Sequence, residues 1–300
     1  MRFLHPGKRW FIILYLIISL ILTACDGAPA GTPDPHEGMV QVSDGAGGTY
    51  WIRPAEGFPL NDYAAEDFSV LEDGSLTYLG TDYLALRGID VSEHQHEIDW
   101  TAAAEAGVDF AILRAGYRGW TEGGLFEDPW FRRNLEGARE AGLMVGCYFF
   151  SQAVNADEAR GEAEFLLELL DGQSLDLPIY YDWEEIGPDA RTAQVDGQTV
   201  TDCCLAFRET VEAAGYEAGL YLYRRLGYFV YELDRLTDMP LWVGALGTAP
   251  DFHYAHSIWQ YSISGRIPGV EGDVDLNLWF IRKPEAFAPE TAEPDASPAA

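Results

Sequence analysis

From residue 84 onward, short apolar runs alternate with amphipathic helical stretches, and this alternation limits the possible folds more than any other feature. Gly107, Gly142 and Gly215 each follow a predicted helix at the position of a C-terminal cap, and a predicted strand comes soon after each. The predicted strands are 84–91, 110–115, 145–150, 179–183, 218–223, 241–245, 257–261 and 275–280, and the predicted helices are 100–106, 129–141, 156–170, 199–214 and 226–233. Repeated helix–glycine–strand units predict an α/β fold with a parallel sheet and right-handed crossovers.

The predicted strands also indicate how the sheet ends. Eight of them are present, and the helices become fewer toward the C-terminus, so we expect a closed, TIM-like barrel whose last strands lack full helices. Reactive residues of such barrels lie at the C-terminal ends of the strands. Asp90 ends the first predicted strand, Asp182 and Glu184 end the fourth, and Asp275 lies on the last. The sequence therefore predicts four carboxyl groups around one rim.

Two of these carboxyl groups are only two residues apart. Residues 179–183 are apolar or aromatic except for Asp182, which predicts a buried strand. Because side chains alternate across a strand, Asp182 and Glu184 point to the same side and Glu185 to the other. Two neighbouring acids in an apolar setting raise the pKa of at least one of them toward the range of a general acid. A solvated strand end is the alternative interpretation of this short motif.

The N-terminus is typical of a targeting segment. A basic start precedes an apolar run at residues 10–22, which is short for a membrane span of ~20 residues and ends in Leu-Thr-Ala followed by Cys25. The last four residues resemble the lipobox of bacterial lipoproteins, in which cleavage precedes the cysteine and its thiol is diacylated. We therefore expect lipidation at Cys25 and an extracytoplasmic protein anchored to a bacterial membrane. An ordinary signal peptide and a single-pass anchor are the alternatives.

The remaining segments differ in composition. Residues 25–38 are rich in Gly, Ala, Pro and Asp, which is typical of a flexible tether, and residues 284–300 contain little that could be buried. Glycine-containing turns and short β-prone pieces precede residue 84. The predicted organisation is a signal peptide at 1–24, a tether at 25–38, a small β-rich N-terminal appendage at 39–83, a catalytic barrel at 84–283 and a disordered tail at 284–300.

The charge of the chain excludes some partners. The formal net charge is −30, so there is no basic face to bind nucleic acid, and anionic lipid headgroups would repel the protein. Membrane attachment would therefore depend on the acyl group. The nine Trp and sixteen Tyr suit a cleft in which flat rings stack on sugars. The oligomeric state is not indicated.

The cysteines and histidines do not form a metal motif. No Cys-x-x-Cys or His-Glu-x-x-His pattern occurs, so we expect no metal. Cys147 lies in an apolar run, and Cys203 and Cys204 are neighbours in a predicted helix. Small buried thiols are the favoured interpretation, and a bridge from Cys147 to either of the other two is the alternative.

A series of motifs spans the barrel region, about residues 86–280. They are Arg87-Gly88-Ile89-Asp90-Val91-Ser92, Phe110-Ala111-Ile112-Leu113-Arg114-Ala115-Gly116, Gly146-Cys147-Tyr148-Phe149-Phe150-Ser151, Asp182-Trp183-Glu184, Gly219-Leu220-Tyr221-Leu222-Tyr223, Leu241-Trp242-Val243, Ile258-Trp259-Gln260-Tyr261 and Val274-Asp275-Leu276-Asn277. In this order they resemble the glycoside hydrolase family 25 lysozymes, the Chalaropsis-type muramidases.

The resemblance implies a (β/α)5(β)3 barrel that cleaves the β-1,4 bond between N-acetylmuramic acid and N-acetylglucosamine in the glycan strands of peptidoglycan. It implies that Glu184 is the general acid, that Asp182 orients or stabilises the acetamido group of the substrate, and that Asp90 and Asp275 have supporting roles. A second carboxylate as nucleophile or base and participation of the acetamido group are both compatible with the sequence. Neither requires a cofactor.

The resemblance also places candidate substrate-binding residues. These are Tyr148, Tyr221, Trp242, Trp259 and Gln260. The alternative for the four aromatic rings is barrel core, because a parallel strand is buried on both faces. Gln260 has the alternative of satisfying buried backbone groups.

Three functions are weighed for the chain. The first is a membrane-tethered peptidoglycan hydrolase, a muramidase. The second is a non-catalytic lipoprotein that binds cell-wall glycan, and the third is a glycosidase for another N-acetylated polymer such as chitin. Binding alone would not need a poised acid, so the four carboxyl groups favour an enzyme.

Overall fold

The computed structural model describes residues 34–284. The expected signal peptide, Cys25, most of the tether and the tail beyond residue 284 lie outside the described residues. The chain divides after Glu37 into two units, and of the first only residues 34–37 are described, where the Glu37 N–H donates to the Asp34 carbonyl at 3.1 Å. Among the described residues, no helix has the length and apolar character needed to cross a membrane. All further structure belongs to the second unit.

The second unit is built from short strands and five helices. The strands are β1 Val40–Ser43, β2 Thr49–Ile52, β3 Phe68–Val70, β4 Leu76–Tyr78, β5 Tyr83–Val91, β6 Phe110–Arg118, β7 Leu125–Glu127, β8 Met144–Ser151, β9 Ile179–Trp183, β10 Ala218–Tyr223, β11 Leu241–Gly244, β12 Ile258–Gly265 and β13 Val274–Arg282. The helices are α1 Trp100–Glu105, α2 Phe131–Glu140, α3 Ala156–Leu170, α4 Gly197–Ala213 and α5 Arg224–Phe229, with short 3-10 helices at Ala65–Asp67, Glu93–Gln95 and Leu233–Arg235.

Eight strands close into a barrel. They pair in the order β5, β6, β8, β9, β10, β11, β12 and β13, and β13 pairs again with β5. All neighbours are parallel except at β13, which runs antiparallel to both β12 and β5. The reason is the connection, since only residues 266–273 separate β12 from β13, too few for a crossover. The expectation of a closed barrel is confirmed, and that of a wholly parallel sheet is wrong at the last strand.

Helices follow the first five barrel strands, and none of the five lies after β11. Capping residues explain where several helices begin: Asp99, Asn155 and Asp196 each accept a hydrogen bond from a backbone N–H of the first turn of α1, α3 and α4. Gly107, one of the predicted caps, has φ +87°, a conformation that a glycine adopts without strain. The first four helices lie within two residues of their predicted bounds, whereas the fifth, predicted at 226–233, is observed at Arg224–Phe229.

Large rings fill the inside of the barrel. The inner core consists of Phe110, Ile112, Leu177, Tyr180, Tyr221, Trp242 and Ile258. Glycines on neighbouring strands make the space: a Cβ on Gly88 would lie 2.2 Å from the Phe110 ring, and one on Gly219 would lie 2.4 Å from Tyr180. The barrel is therefore packed along most of its length, and only its C-terminal end is left for a ligand.

The N-terminal segment takes the place of the missing helices on the outer side of the barrel. Its two hairpins, β1–β2 and β3–β4, form separate two-stranded sheets. The ring of Phe68 on β3 packs edge-on against Trp259 on β12 at 5.4 Å and against Phe280 on β13 at 5.8 Å between centroids. These contacts bury apolar surface that helices cover elsewhere on the barrel.

This packing corrects the prediction for Trp259. Its neighbours Ile258 and Gln260 face the inside of the barrel, so Trp259 faces out, where it is 0% exposed and its indole N–H donates to the Ala245 carbonyl at 2.7 Å. The structure therefore gives Trp259 a place in the outer core and not in a substrate site.

The cysteines of the barrel region are free. Cys147, Cys203 and Cys204 are buried, and none of them forms a disulfide. The interpretation as small buried thiols is confirmed, and the two alternative bridges are wrong. Burial raises the pKa of all three thiols, which keeps them protonated and unreactive.

We expect Trp259→Ala to lower the free energy of unfolding by about 3 to 5 kcal/mol, because it leaves a cavity between the barrel and the N-terminal segment. Urea unfolding followed by far-UV circular dichroism measures the change. Ile263→Ala on the same strand is the control, since Ile263 is 55% exposed and its loss should change the free energy by under about 0.5 kcal/mol. Equal effects of the two changes would contradict the outward packing of Trp259.

Candidate active site

A cleft opens at the C-terminal end of the parallel strands. Its volume is about 210 Å³, and each barrel strand contributes a lining residue. These are Asp90 on β5, Arg114 on β6, Tyr148 on β8, Asp182 on β9, Tyr221 on β10, Trp242 on β11, Gln260 on β12 and Asp275 on β13. Glu184 lines the cleft just after β9, and Ser92, His94, Gln95 and Phe150 complete the wall. The cleft is the mouth of the barrel.

The four carboxyl groups predicted from the sequence come together in this cleft. Asp182 is the fourth residue of β9, and Glu184, two residues on, reaches the same side. Glu185 points away and accepts a hydrogen bond from the Arg225 guanidinium at 2.9 Å on the surface. The period of two along the strand therefore separates the two adjacent glutamates into different environments.

Asp90 and Asp275 meet because β13 pairs with β5. The two residues are direct partners in the antiparallel register. The side-chain amide of Gln260 lies between them, and its Nε2 donates to Asp90 Oδ2 at 3.0 Å and to Asp275 Oδ2 at 3.2 Å. Asn277 Nδ2 donates to the same Asp90 oxygen at 2.7 Å. Two amide donors on one buried oxygen favour the charged form of Asp90.

Two aromatic side chains fix the orientation of these amides. The Tyr221 hydroxyl donates to Gln260 Oε1 at 2.9 Å, and Trp242 Nε1 donates to Asn277 Oδ1 at 2.8 Å. An amide whose oxygen is occupied in this way must present its NH2 group to the carboxylate. A chain of hydrogen bonds therefore runs from the rings of β10 and β11 to Asp90.

Burial sets the proton affinity of the acids around Glu184. It raises the pKa of Glu184 to about 7, and the charge of Asp90 adds to the effect. Burial also raises the pKa of Asp182, with the charges of Glu184 and Asp90 acting in the same direction and Arg114 opposing them. Glu184 therefore holds or releases a proton near neutral pH, as a general acid requires.

The second pair is shifted for the same reason. Burial raises the pKa of Asp90 to about 6, although the hydrogen bonds from Asn277 and Gln260 oppose the shift. Burial, and after it the charge of Asp90, raise the pKa of Asp275 to about 8. The two groups share a hydrogen bond, which makes Asp275 the proton holder and Asp90 the charged partner.

Asn277 and Arg114 belong to this site although they were not among the predicted site residues. Asn277 lies two residues after Asp275, so the alternation of β13 places both on one face. Arg114 interrupts an apolar strand, and it pairs with Asp128 at 2.8 Å and Glu93 at 2.9 Å while lining the cleft. A polar residue inside a buried strand was the signal in both cases.

The predicted substrate-binding residues differ in how open they are. Tyr148, Tyr221, Trp242 and Gln260 line the cleft, whereas Trp259 does not. Trp242 is 1% exposed and its ring packs against Tyr148 and Tyr221, so it offers little surface to a ligand. Within residues 34–284, no group of three or more His, Cys, Asp or Glu side chains is placed to hold a metal ion.

Asp275→Asn should stabilise the fold at alkaline pH. The folded pKa of about 8 lies above the ordinary value of 3.8, so the contribution of the group is fully present below about pH 4 and is lost as the pH rises through about 8. The variant cannot ionise, and its gain over wild type in urea unfolding should grow from about pH 4 to about pH 9. Asp273→Asn is the control, because Asp273 lies on the surface beside Arg266 at 2.8 Å. A gain that does not depend on pH would contradict the buried proton at Asp275.

Comparison with known proteins places this cleft in a family. The model of glycosyl hydrolases family 25 matches residues 89–270, more than half of the chain. The chain is 27% identical over 194 residues to an autolytic lysozyme of Clostridium acetobutylicum. The aligned region covers 64% of this chain and 55% of that protein. The chain is 29% identical over 207 residues to lysozyme M1 of Streptomyces globisporus, covering 65% and 69%. The chain thus spans little more than half of the autolytic lysozyme.

Solved structures agree with the sequence relatives. A bacterial lysozyme from Streptomyces coelicolor superimposes with a TM-score of 0.52 and 26% identity, covering 64% of this chain and 90% of that one. The modular autolysin LytC from Streptococcus pneumoniae gives a TM-score of 0.56 and 26% identity, covering 71% of this chain and 58% of that one. The sequence match, the closed barrel and the carboxyl groups at its mouth agree, and the chain belongs to glycosyl hydrolases family 25.

Proposed function

We propose that this chain is a peptidoglycan hydrolase, a lysozyme that cleaves the β-1,4 bond between N-acetylmuramic acid and N-acetylglucosamine. Relatives named as lysozymes in two bacterial genera support the substrate class. A LytC structure has been solved in complex with a synthetic peptidoglycan ligand, which places such a ligand on a related protein. The observation that carries the proposal is a half-buried acid with a pKa near 7, Glu184, in the same cleft as the buried Asp182, whose Oδ1 has no hydrogen-bond partner among the described residues.

Glu184 would protonate the leaving glycosidic oxygen. The cleavage of a glycosidic bond needs a proton at that oxygen as the bond breaks, and an acid with a pKa near the working pH delivers it most effectively. Glu184 lies at the cleft wall rather than at its floor, after the end of β9, where a bound glycan can reach it. Activity that depends on protonated Glu184 should decline as the pH rises through about 7.

Asp182 would hold the acetamido group of the sugar. Its Oδ1 is buried and has no hydrogen-bond partner among the described residues. A buried carboxylate oxygen without a donor is costly, and the N–H of a 2-acetamido group is a donor of the right kind. Pairing with the substrate would therefore satisfy Asp182 and fix the sugar in the cleft.

Asp90 would support the reaction through its charge, and the protonated Asp275 would hold that charge in place through the hydrogen bond the two groups share. The transition state of glycoside hydrolysis carries positive charge on the sugar ring, and the charged Asp90 stabilises it electrostatically. Attack by a carboxylate and participation of the acetamido group both remain compatible with four carboxyl groups in one cleft. Neither route requires a cofactor, and the residues named here supply the chemistry.

The proposal also includes the sugar contacts, the barrel type and the lipid anchor that the sequence led us to expect. Tyr148, Tyr221 and Gln260 are proposed as contacts for the sugars, with Trp242 as the buried ring that packs against the two tyrosines. The five strand–helix units followed by three strands support a (β/α)5(β)3 barrel. A lipid anchor on Cys25 would hold the enzyme outside the cytoplasm, next to the cell wall. That part rests on the sequence of the N-terminus alone.

The proposed acid is tested by Glu184→Gln. The amide keeps the size of the side chain and removes its proton, so release of reducing ends from purified peptidoglycan should fall by at least about 100-fold. Glu185→Gln is the matched control, because Glu185 is the adjacent residue and its side chain faces Arg225 on the surface. Full activity of Glu184→Gln, or an equal loss in both variants, would show that the acid lies elsewhere.

Mass spectrometry of the products tests the bond that is cut. A muramidase leaves N-acetylmuramic acid at the new reducing end of peptidoglycan fragments, and chitin should remain long. Binding of peptidoglycan by wild type without any shortening of the strands would support the glycan-binding alternative. Equal cleavage of chitin would support the glycosidase with a different N-acetylated substrate.

A further inference from the structure

The hairpin of β6 and β7 extends the cleft wall with a row of stacked planar groups. Arg114 lines the cleft, and its guanidinium lies 5.1 Å from the centre of the Tyr117 ring. The ring of Phe126 on β7 stacks on Tyr117, with centroids 5.3 Å apart and an angle of 26° between the planes. Tyr117 is also the register partner of Phe150 on β8, which lines the cleft as well. The row therefore starts in the cleft and leads out of it.

The outer end of this row is open to solvent. Phe126 is 49% exposed, although its ring stacks on Tyr117. Glycines make room for it at the loop of the hairpin, since a Cβ on Gly119 or Gly124 would lie 3.3 or 3.2 Å from the ring. The Phe126 ring thus lies beside the hairpin loop, and part of its aromatic surface is uncovered.

A buried ion pair and two hydrogen bonds to backbone carbonyls hold the hairpin in place. The Arg118 guanidinium donates to Glu162 at 2.6 Å and to the Gly123 carbonyl at the hairpin tip at 2.7 Å. The Arg191 N–H donates to the Trp120 carbonyl at 3.0 Å, which ties the tip to the loop after β9. Both Arg118 and Glu162 are buried. A surface fixed in this way loses little conformational entropy when a ligand binds.

We propose that Phe126 and Tyr117 form an additional subsite, a platform on which a sugar ring of the glycan strand stacks after leaving the cleft. The inference rests on the proposed function, because it takes peptidoglycan as the substrate. A cleft of about 210 Å³ is small compared with a glycan strand, so the strand must continue along the rim. The hydrogen-rich faces of pyranose rings pack on flat aromatic rings, and a long glycan strand gains affinity with each ring it covers.

The platform is tested by Phe126→Ala on long glycan strands. We expect the KM to rise and kcat/KM to fall about three- to tenfold, in the range of one aromatic stacking contact. Phe126→Trp should keep most of the affinity, because the flat surface is retained. Phe229→Ala is the matched control: Phe229 is 41% exposed, also packs on a neighbouring ring, Tyr50, and does not line the cleft. It should leave both parameters as in wild type.

A binding experiment separates this inference from the proposed function. In the Glu184→Gln protein, calorimetry with β-1,4 oligosaccharides of N-acetylmuramic acid and N-acetylglucosamine should show affinity that grows with chain length. Adding Phe126→Ala should remove the gain for the longer oligosaccharides. Failure of wild type to cut peptidoglycan would overturn the function and leave this binding result valid.

Two outcomes would overturn the platform. One is an unchanged length dependence and unchanged KM in Phe126→Ala protein whose circular dichroism and melting match wild type. The other is a change in oligomeric state, measured by light scattering, without any change in glycan affinity, which would assign the exposed ring to a contact with a second copy of the chain.

Discussion

The antiparallel pairing of β13 with β5 is the interaction on which the rest of the structure depends. Eight residue pairs, from Asp275 opposite Asp90 to Arg282 opposite Tyr83, join the last strand to the first. The pairing turns an open sheet into a barrel, and a barrel has no exposed edges. It also brings a carboxyl group from the first barrel strand and one from the last to one point at the mouth. The same strand pairing thus closes the barrel and brings Asp90 and Asp275 together in the site.

The buried carboxyl groups of the site destabilise the fold, and the surrounding side chains reduce this cost. Burial raises the pKa of all four carboxyl groups, which means that their charged forms are unfavourable there. Amide donors from Gln260 and Asn277 stabilise one charge, at Asp90, and leave the others to protons or to a ligand. Arg114 also lines the cleft, but its guanidinium already forms ion pairs with Glu93 and Asp128. A cleft of this kind is arranged for a reaction, at a cost in stability.

The sequence predicted what depends on local pattern. All eight barrel strands, the ends of the first four helices and the four carboxyl groups follow from periodicity, glycine caps and strand-end positions. The direction of Trp259 could not be predicted, because a strand buried on both faces shows no polar alternation. The amide contacts of Gln260 depend on a register with irregularities between β12 and β13, and β7 is too short to stand out from its loop. Those features arise from tertiary pairing.

The cover that residues 58–83 form over β12 and β13 has a consequence for the boundaries of the enzyme. The family match ends at residue 270, before β13, and begins inside β5. A fragment cut to those limits would lack the strand that closes the barrel, the aspartate it carries, and the rings that shield Trp259 and Phe280. The stretch that the family model matches therefore does not contain the whole barrel. A form of this protein that keeps the closed barrel extends beyond residues 89–270 on both sides.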